Sequence, residues 1–198
     1  MTTIAVVRKA GRIAIAADTL TKWGSAKESA EFIVNHEKIL RVGDSYLAMT
    51  GTTTFLQILA DYFSRPRVYA RFGNVREIFQ TWHRMHAVLK DRYYLLPEED
   101  KEDALESSRM DVLIANPHGI FGVAAHRTVQ EFDRFYAFGS GSDYALGAMV
   151  SVYDAPGRSA QDIARHAIAV AATFDDGTGL PITSYMLRQR ARRSSRRK

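Results

Sequence analysis

Apolar and polar positions fall into blocks of two kinds along this chain. Residues 3–9 and 12–17 are short, nearly continuous runs of Ile, Val and Ala, parted by Ala10-Gly11. Such runs around a turn pair predict a hairpin of two strands. Their lack of polar alternation predicts a sheet covered on both faces. Asp18 ends the pair, and residues 19–31 read as a loop. Residues 38–42 and 45–50 predict a second hairpin, turning at Gly43-Asp44.

The period then changes. Phe55, Ile58, Leu59 and Tyr62 recur at helical spacing over 52–64, and Pro66 stops that helix. Asn74 with Glu77 resembles a capping box and opens a helix over 75–94. Its expected buried stripe is Ile78, Phe79, Trp82, Met85, His86 and Leu89. An acidic connector covers 97–106. Strands follow over 110–116 and 119–125, turning at His118-Gly119, with one or two more in 128–138. Gly139-Ser140-Gly141-Ser142 leads into a small-residue helix over 143–154, and Pro156-Gly157 breaks it. Ser159 with Asp162 opens another helix over 160–173. Asp175 to Gly179 is a tight turn before a last strand over 182–187.

The order is strands, two helices, strands, two helices, strand. Blocks of this kind argue against a βαβ repeat. They predict an α+β fold, a four-layer α/β/β/α sandwich in which each helix pair covers one sheet. At 198 residues the chain suits one domain, expected over 1–187, with a basic tail over 188–198.

Composition narrows the chemistry. There is no cysteine, which excludes a thiol nucleophile, a disulfide framework and a Cys-ligated zinc site, and fits a reducing cytoplasm. No apolar run approaches the roughly 18 residues of a membrane span, and no basic-then-apolar leader opens the sequence. The net charge of +5 comes from the tail, whose seven basic residues from Arg188 to Lys198 include no acid; without them the charge is −2. Such a tail either stays solvated, the reading favoured here, or touches an acidic surface; nucleic acid is the weaker partner for a mildly acidic body. His83 and His86 are three apart without a third ligand at a recognisable spacing, so no metal is expected. A phosphate-binding GxxxxGK[ST] motif is absent, and Gly139-Ser140-Gly141-Ser142 is not a GxSxG nucleophile elbow.

One candidate nucleophile stands at the start. Met1 precedes Thr2, a small residue of the kind that permits methionine removal. Trimming leaves Thr2 with a hydroxyl and a free α-amine, and such an amine is a base for its own threonine hydroxyl. An α-amino group titrates at roughly 7.7–8.0, near working pH.

Five pieces match a known pattern in order and approximate spacing. They are Thr2-Thr3-Ile4, Asp18, Glu37-Lys38-Ile39, Ala48-Met49-Thr50-Gly51 before a helix, and Gly139-Ser140-Gly141-Ser142 before another. Over 2–182 the chain resembles the proteasome β-subunit family of N-terminal nucleophile hydrolases, which includes the bacterial HslV peptidase; bacterial proteasome homologues are the most similar group. The resemblance implies a threonine endopeptidase with no cofactor. Thr2 is the implied nucleophile, Lys38 its neighbouring cation and Asp18 the carboxylate that holds Lys38. Ser140, Asp175 and Thr178 are the implied supporting set, with threonine at 178 in place of the family's serine. The backbone N–H of Ala48 takes the oxyanion position, with its methyl toward the substrate channel. Thr21, Tyr46 and Thr50 are the expected substrate pocket, and Tyr46 is bulky enough to narrow it. The implied partners are a homo-oligomeric double ring of hexamers or heptamers, unfolded polypeptide substrates and a separate ATPase; no membrane is involved. The alternative is the same fold with weak, altered or absent activity: an amidase or a non-catalytic chamber protein.

Overall fold

The computed structural model describes residues 2–96 and 104–190. The elements are β1 (Thr3–Lys9), β2 (Arg12–Asp18), β3 (Thr21–Trp23), β4 (Ala26–Glu28), β5 (Ile39–Val42), β6 (Ser45–Met49), α1 (Thr54–Ser64), α2 (Val75–Tyr93), β7 (Val112–Asn116), β8 (Gly119–Val123), β9 (Val129–Phe132), β10 (Phe135–Gly139), α3 (Ser142–Val152), α4 (Ala160–Phe174) and β11 (Ile182–Arg188). Two antiparallel sheets form, one ordered β10-β1-β2-β11 and the other β5-β6-β7-β8-β9.

Strand periodicity sorts the apolar side chains into three cores. On β1 and β2, Ile4, Val6, Ile13, Ile15 and Ala17 point to the second sheet, where they meet Ile39, Ala48, Leu113, Ala115 and Ile120. The alternate residues Ala5, Val7, Ala14 and Ala16 face α3 and α4, whose Ala145, Ala164, Ala167 and Ala171 allow close approach. On the second sheet, Leu47, Met49, Val112, Ile114, Phe121 and Val123 pack against Phe55, Leu59, Ile78, Trp82, Met85 and Leu89 of α1 and α2. The layers are therefore α/β/β/α, as expected. Because each central strand is buried on both faces, it reads as a continuous apolar run even though the sheets are antiparallel.

The helix starts follow their caps. Asn74 accepts from the Glu77 N–H, while the Glu77 carboxylate accepts from the Gly73 N–H and not from the cap residue. Ser159 and Asp162 form the full reciprocal pair at the start of α4.

Three expectations need correction. The stretch read as a loop over 19–31 contains the β3–β4 hairpin, held by two three-residue strands too short to show periodicity. Phe79 lies off the buried stripe of α2, half exposed and stacked on His83, and Thr81 takes the inward place with its hydroxyl on the Arg71 carbonyl. The last strand runs to Arg188, and Gln189 and Arg190 donate to the carbonyls of Gly11 and Pro117. The first three residues assigned to the tail thus pair with the folded body. Residues 191–198, and 97–103 of the acidic connector, lie outside the described residues. Among the described residues, no helix is long and apolar enough to cross a membrane.

Candidate active site

The ends of β1, β2 and β6 converge on one face of the sandwich, and Thr2 stands at their junction. Thr2 is buried, and its Oγ1 accepts from Lys38 Nζ at 2.9 Å. The same Nζ donates to Asp18 Oδ1 at 2.9 Å and to the Leu20 carbonyl at 2.5 Å. An ammonium has three N–H bonds, so all three are committed. Lys38 can then polarise the Thr2 hydroxyl but cannot take its proton.

Asp18 is fully buried, and its two oxygens accept four N–H groups: Thr3 and Lys38 on Oδ1, Leu20 and Gly179 on Oδ2. Four donors suit an ionised carboxylate, which has acceptor sites only. Burial raises the Asp18 pKa, and the Lys38 charge with the backbone donors pulls it back. Burial likewise lowers the Lys38 pKa below the usual lysine range, against the pull of Asp18. The geometry favours the charged pair.

A second group of residues approaches from the α3–α4 side. Ser140 donates its backbone N–H to the Thr2 carbonyl at 3.0 Å and its hydroxyl to Asp175 Oδ2 at 2.7 Å. Thr178 donates to the same Asp175 oxygen at 2.5 Å. Gly139 makes this approach possible. Its φ is +109°, and a Cβ there would lie 1.8 Å from the Thr2 carbonyl oxygen.

A cavity of about 460 Å³ opens over Thr2, lined by Thr21, Lys22, Trp23, Thr50, Gly51, Arg109 and Ser140 among others. Thr21 and Thr50 are thus where the sequence reading put them. Tyr46 is not among the lining residues. It stacks on Tyr185, centroids 4.6 Å apart, against the core between the sheets. The Ala48 methyl also faces that core, fully buried, and not a channel. Its N–H is in the wrong place as well. Thr50 donates to the Asp111 carbonyl, which makes Thr50 and Asp111 a hydrogen-bonded pair, and ladder alternation makes Ala48 and Leu113 the next such pair. Gly51, just past the end of β6, lines the cavity, whereas Ala48 and Met49 do not.

Sequence reasoning missed Thr3, whose N–H reaches Asp18 and whose hydroxyl reaches Thr178, because a strand threonine carries no signal of its own. It also missed Trp23 and Arg109 on the cavity wall. His83 and His86 part company: His86 is buried against Ser108 and Glu106, while His83 stacks on Phe79.

Two sheets packed between helix pairs, with a threonine at the head of a central strand, define the N-terminal nucleophile hydrolase sandwich. Comparison with known proteins agrees. No protein-family model matches the chain. Among solved structures, the chain is 59% identical to the BPH of Thiobacillus denitrificans, over 96% of its own length and 99% of that chain, with a TM-score of 0.91. The same protein in complex with epoxomicin aligns at 57% identity over 96% of this chain and 100% of that one, also with a TM-score of 0.91. A eukaryotic HslV from Trypanosoma brucei, 21% identical over 95% and 100% of the two chains, shares the fold with a TM-score of 0.71. The chain belongs to the proteasome-type family of N-terminal nucleophile peptidases, in its bacterial proteasome homologue group.

Proposed function

We propose that this protein is a threonine endopeptidase whose nucleophile is Thr2, freed of Met1. The observation that carries the reading is the full commitment of the Lys38 ammonium: with its three N–H groups on Asp18, Leu20 and Thr2, it is a cation and not a base. The base is then the α-amine of Thr2 itself. The Thr2 Oγ1–H bond breaks, its proton passes to the amine, and a C–O bond forms to the scissile carbonyl carbon. The carbonyl π pair moves onto oxygen, where the N–H of Gly51, a residue that lines the cleft, meets it in place of the expected Ala48 N–H. Collapse expels the amine half of the peptide, which takes the proton held by the α-amine. Water, deprotonated by the same amine, then adds to the acyl carbon; the C–Oγ1 bond breaks, the acid half leaves, and Oγ1 takes the proton back from the amine. Asp18 keeps Lys38 charged and aimed. Ser140, held with Thr178 on the Asp175 carboxylate, fixes the Thr2 carbonyl and the space beside the amine.

The proposed substrates are unfolded polypeptides, for which the open cleft of about 460 Å³ walled by Thr21 and Thr50 offers room over Thr2. Active sites of this family suit a closed chamber, so the chain assembles as a double ring of hexamers or heptamers, fed by a separate ATPase. Neither Tyr46 nor Ala48 lines the cleft, so neither residue favours the alternative of an amidase or an inactive chamber. Trimmed protein and its Thr2→Ala variant, each incubated with casein, test the proposal. Turnover confined to the protein with Thr2 is expected; equal turnover by both overturns it. Epoxomicin, found with the Thiobacillus denitrificans relative, should raise the melting temperature of the protein and not of Thr2→Ala.

A further inference from the structure

We propose that Thr3 is a positioning residue that ties together the two polar groups around the nucleophile. This rests on the reading of Thr2 as nucleophile. Adjacent strand residues point to opposite faces. Thr2 accordingly faces Lys38, while Thr3, fully buried, faces the start of α3 and the turn at Asp175–Thr178.

The hydrogens along this second face can be assigned one by one. The Asp175 carboxylate only accepts. Thr178 Oγ1 donates its single hydrogen to Asp175 Oδ2 at 2.5 Å. The 2.5 Å contact between Thr3 Oγ1 and Thr178 Oγ1 must then be donated by Thr3. The Thr3 oxygen in turn accepts the Gly141 N–H at 3.0 Å. Ser140 completes the chain by donating to the same Asp175 oxygen at 2.7 Å. The hydrogens therefore run Gly141 to Thr3 to Thr178 to Asp175, all toward the carboxylate that also holds Ser140.

The backbone of Thr3 belongs to the other group. Its N–H donates to Asp18 Oδ1, the oxygen that also takes Lys38 Nζ. One residue thus fixes the peptide that carries the nucleophile from both sides. Its hydroxyl also sets the orientation of Asp175 and Ser140 beside the Thr2 amine. Gly141 leaves room for that hydroxyl, since a Cβ there would lie 2.6 Å from Thr3 Oγ1.

Thr3→Val keeps the shape and removes the hydroxyl, leaving the buried Gly141 N–H and one side of Thr178 unpaired. Thr3→Ser keeps the hydroxyl. For trimmed protein acting on casein, kcat of Thr3→Val should fall about 10- to 100-fold with KM little changed. Its acid limb should shift, and Thr3→Ser should restore both. Wild-type kcat and pH profile in Thr3→Val, or a loss that Thr3→Ser does not restore, overturns the proposal. A second measurement is independent of turnover: the pH dependence of α-amine labelling by acetic anhydride, read by mass spectrometry. A shifted midpoint in Thr3→Val, restored in Thr3→Ser, supports the role; equal midpoints in all three proteins dismiss it. A wild-type protein that labels normally but turns over no casein removes the peptidase reading, and the labelling midpoints then decide the role of Thr3.

Discussion

Lys38 sets the pH window of the site at both ends. The Thr2 amine must be neutral to accept a proton, and its unperturbed pKa is roughly 7.7–8.0. A cation close to the hydroxyl of the same residue lowers that value. Activity should therefore rise with pH through neutrality. Burial lowers the Lys38 pKa below the lysine range, so the ammonium is lost, and activity falls, at a pH below the ordinary lysine value of about 10.4. Lys38→Met should lose about 10²- to 10³-fold in kcat, the scale of one preorganised electrostatic group, and should lose the alkaline limb with it. A pH–rate profile of both proteins checks this; an alkaline limb that survives in Lys38→Met assigns it to another group. Thr2, Asp18 and Lys38 were legible in the sequence because a family resemblance fixes their order. The direction of the Ala48 N–H, toward β7 and away from the cleft, was not. A one-residue slip of register reverses which way an amide and its side chain point, and the spacing around Ala48, Met49 and Thr50 cannot show that register. Only the Thr50–Asp111 pairing does.

At the scale of elements, a buried histidine ties α2 to the segment before β7. His86 bonds Ser108 at 2.9 Å and Glu106 at 3.0 Å, and Glu106 also holds Lys90. Burial lowers the His86 pKa; the Arg127 and Lys90 charges add to the shift, while Glu106 opposes it. The unfolded chain therefore binds more protons than the folded one just below the ordinary histidine value of about 6.5. Stability should fall as pH drops through that value. The Glu106 pKa is lowered too, first by its bond to Lys90, but there the fold favours the charged form, so its contribution is lost only at still lower pH, around and below the ordinary glutamate range. Thermal unfolding between pH 7 and 5 should show a falling melting temperature, with a shallower slope in His86→Gln. Parallel slopes in the two proteins would dismiss His86 as the cause. Helices and long strands were legible because burial imposes a period on Phe55, Leu59, Ile78 and Trp82. The β3–β4 hairpin was not, since its strands have three residues each and Trp23 is exposed. Nor was the place of Phe79, because helical spacing alone does not mark the edge of a buried stripe.

At the scale of the molecule, the layering was legible. Apolar runs at β1 and β2, where Ile and Val alternate with Ala, already encode one face toward a sheet and one toward helices. Tyr46 was misplaced because the sequence does not say that Tyr185, from the last strand, stacks over it. Native mass spectrometry should find double rings of hexamers or heptamers, and a monomer at working concentration contradicts the proposed chamber.

The central claim is the nucleophile, and intact mass spectrometry after brief exposure to an activated peptide ester tests it most directly. The expected spectrum shows chains without Met1 and one acyl group per chain, mapped by fragmentation to Thr2 and absent from Thr2→Ala. Chains that retain Met1, or an acyl group that persists in Thr2→Ala, contradict it.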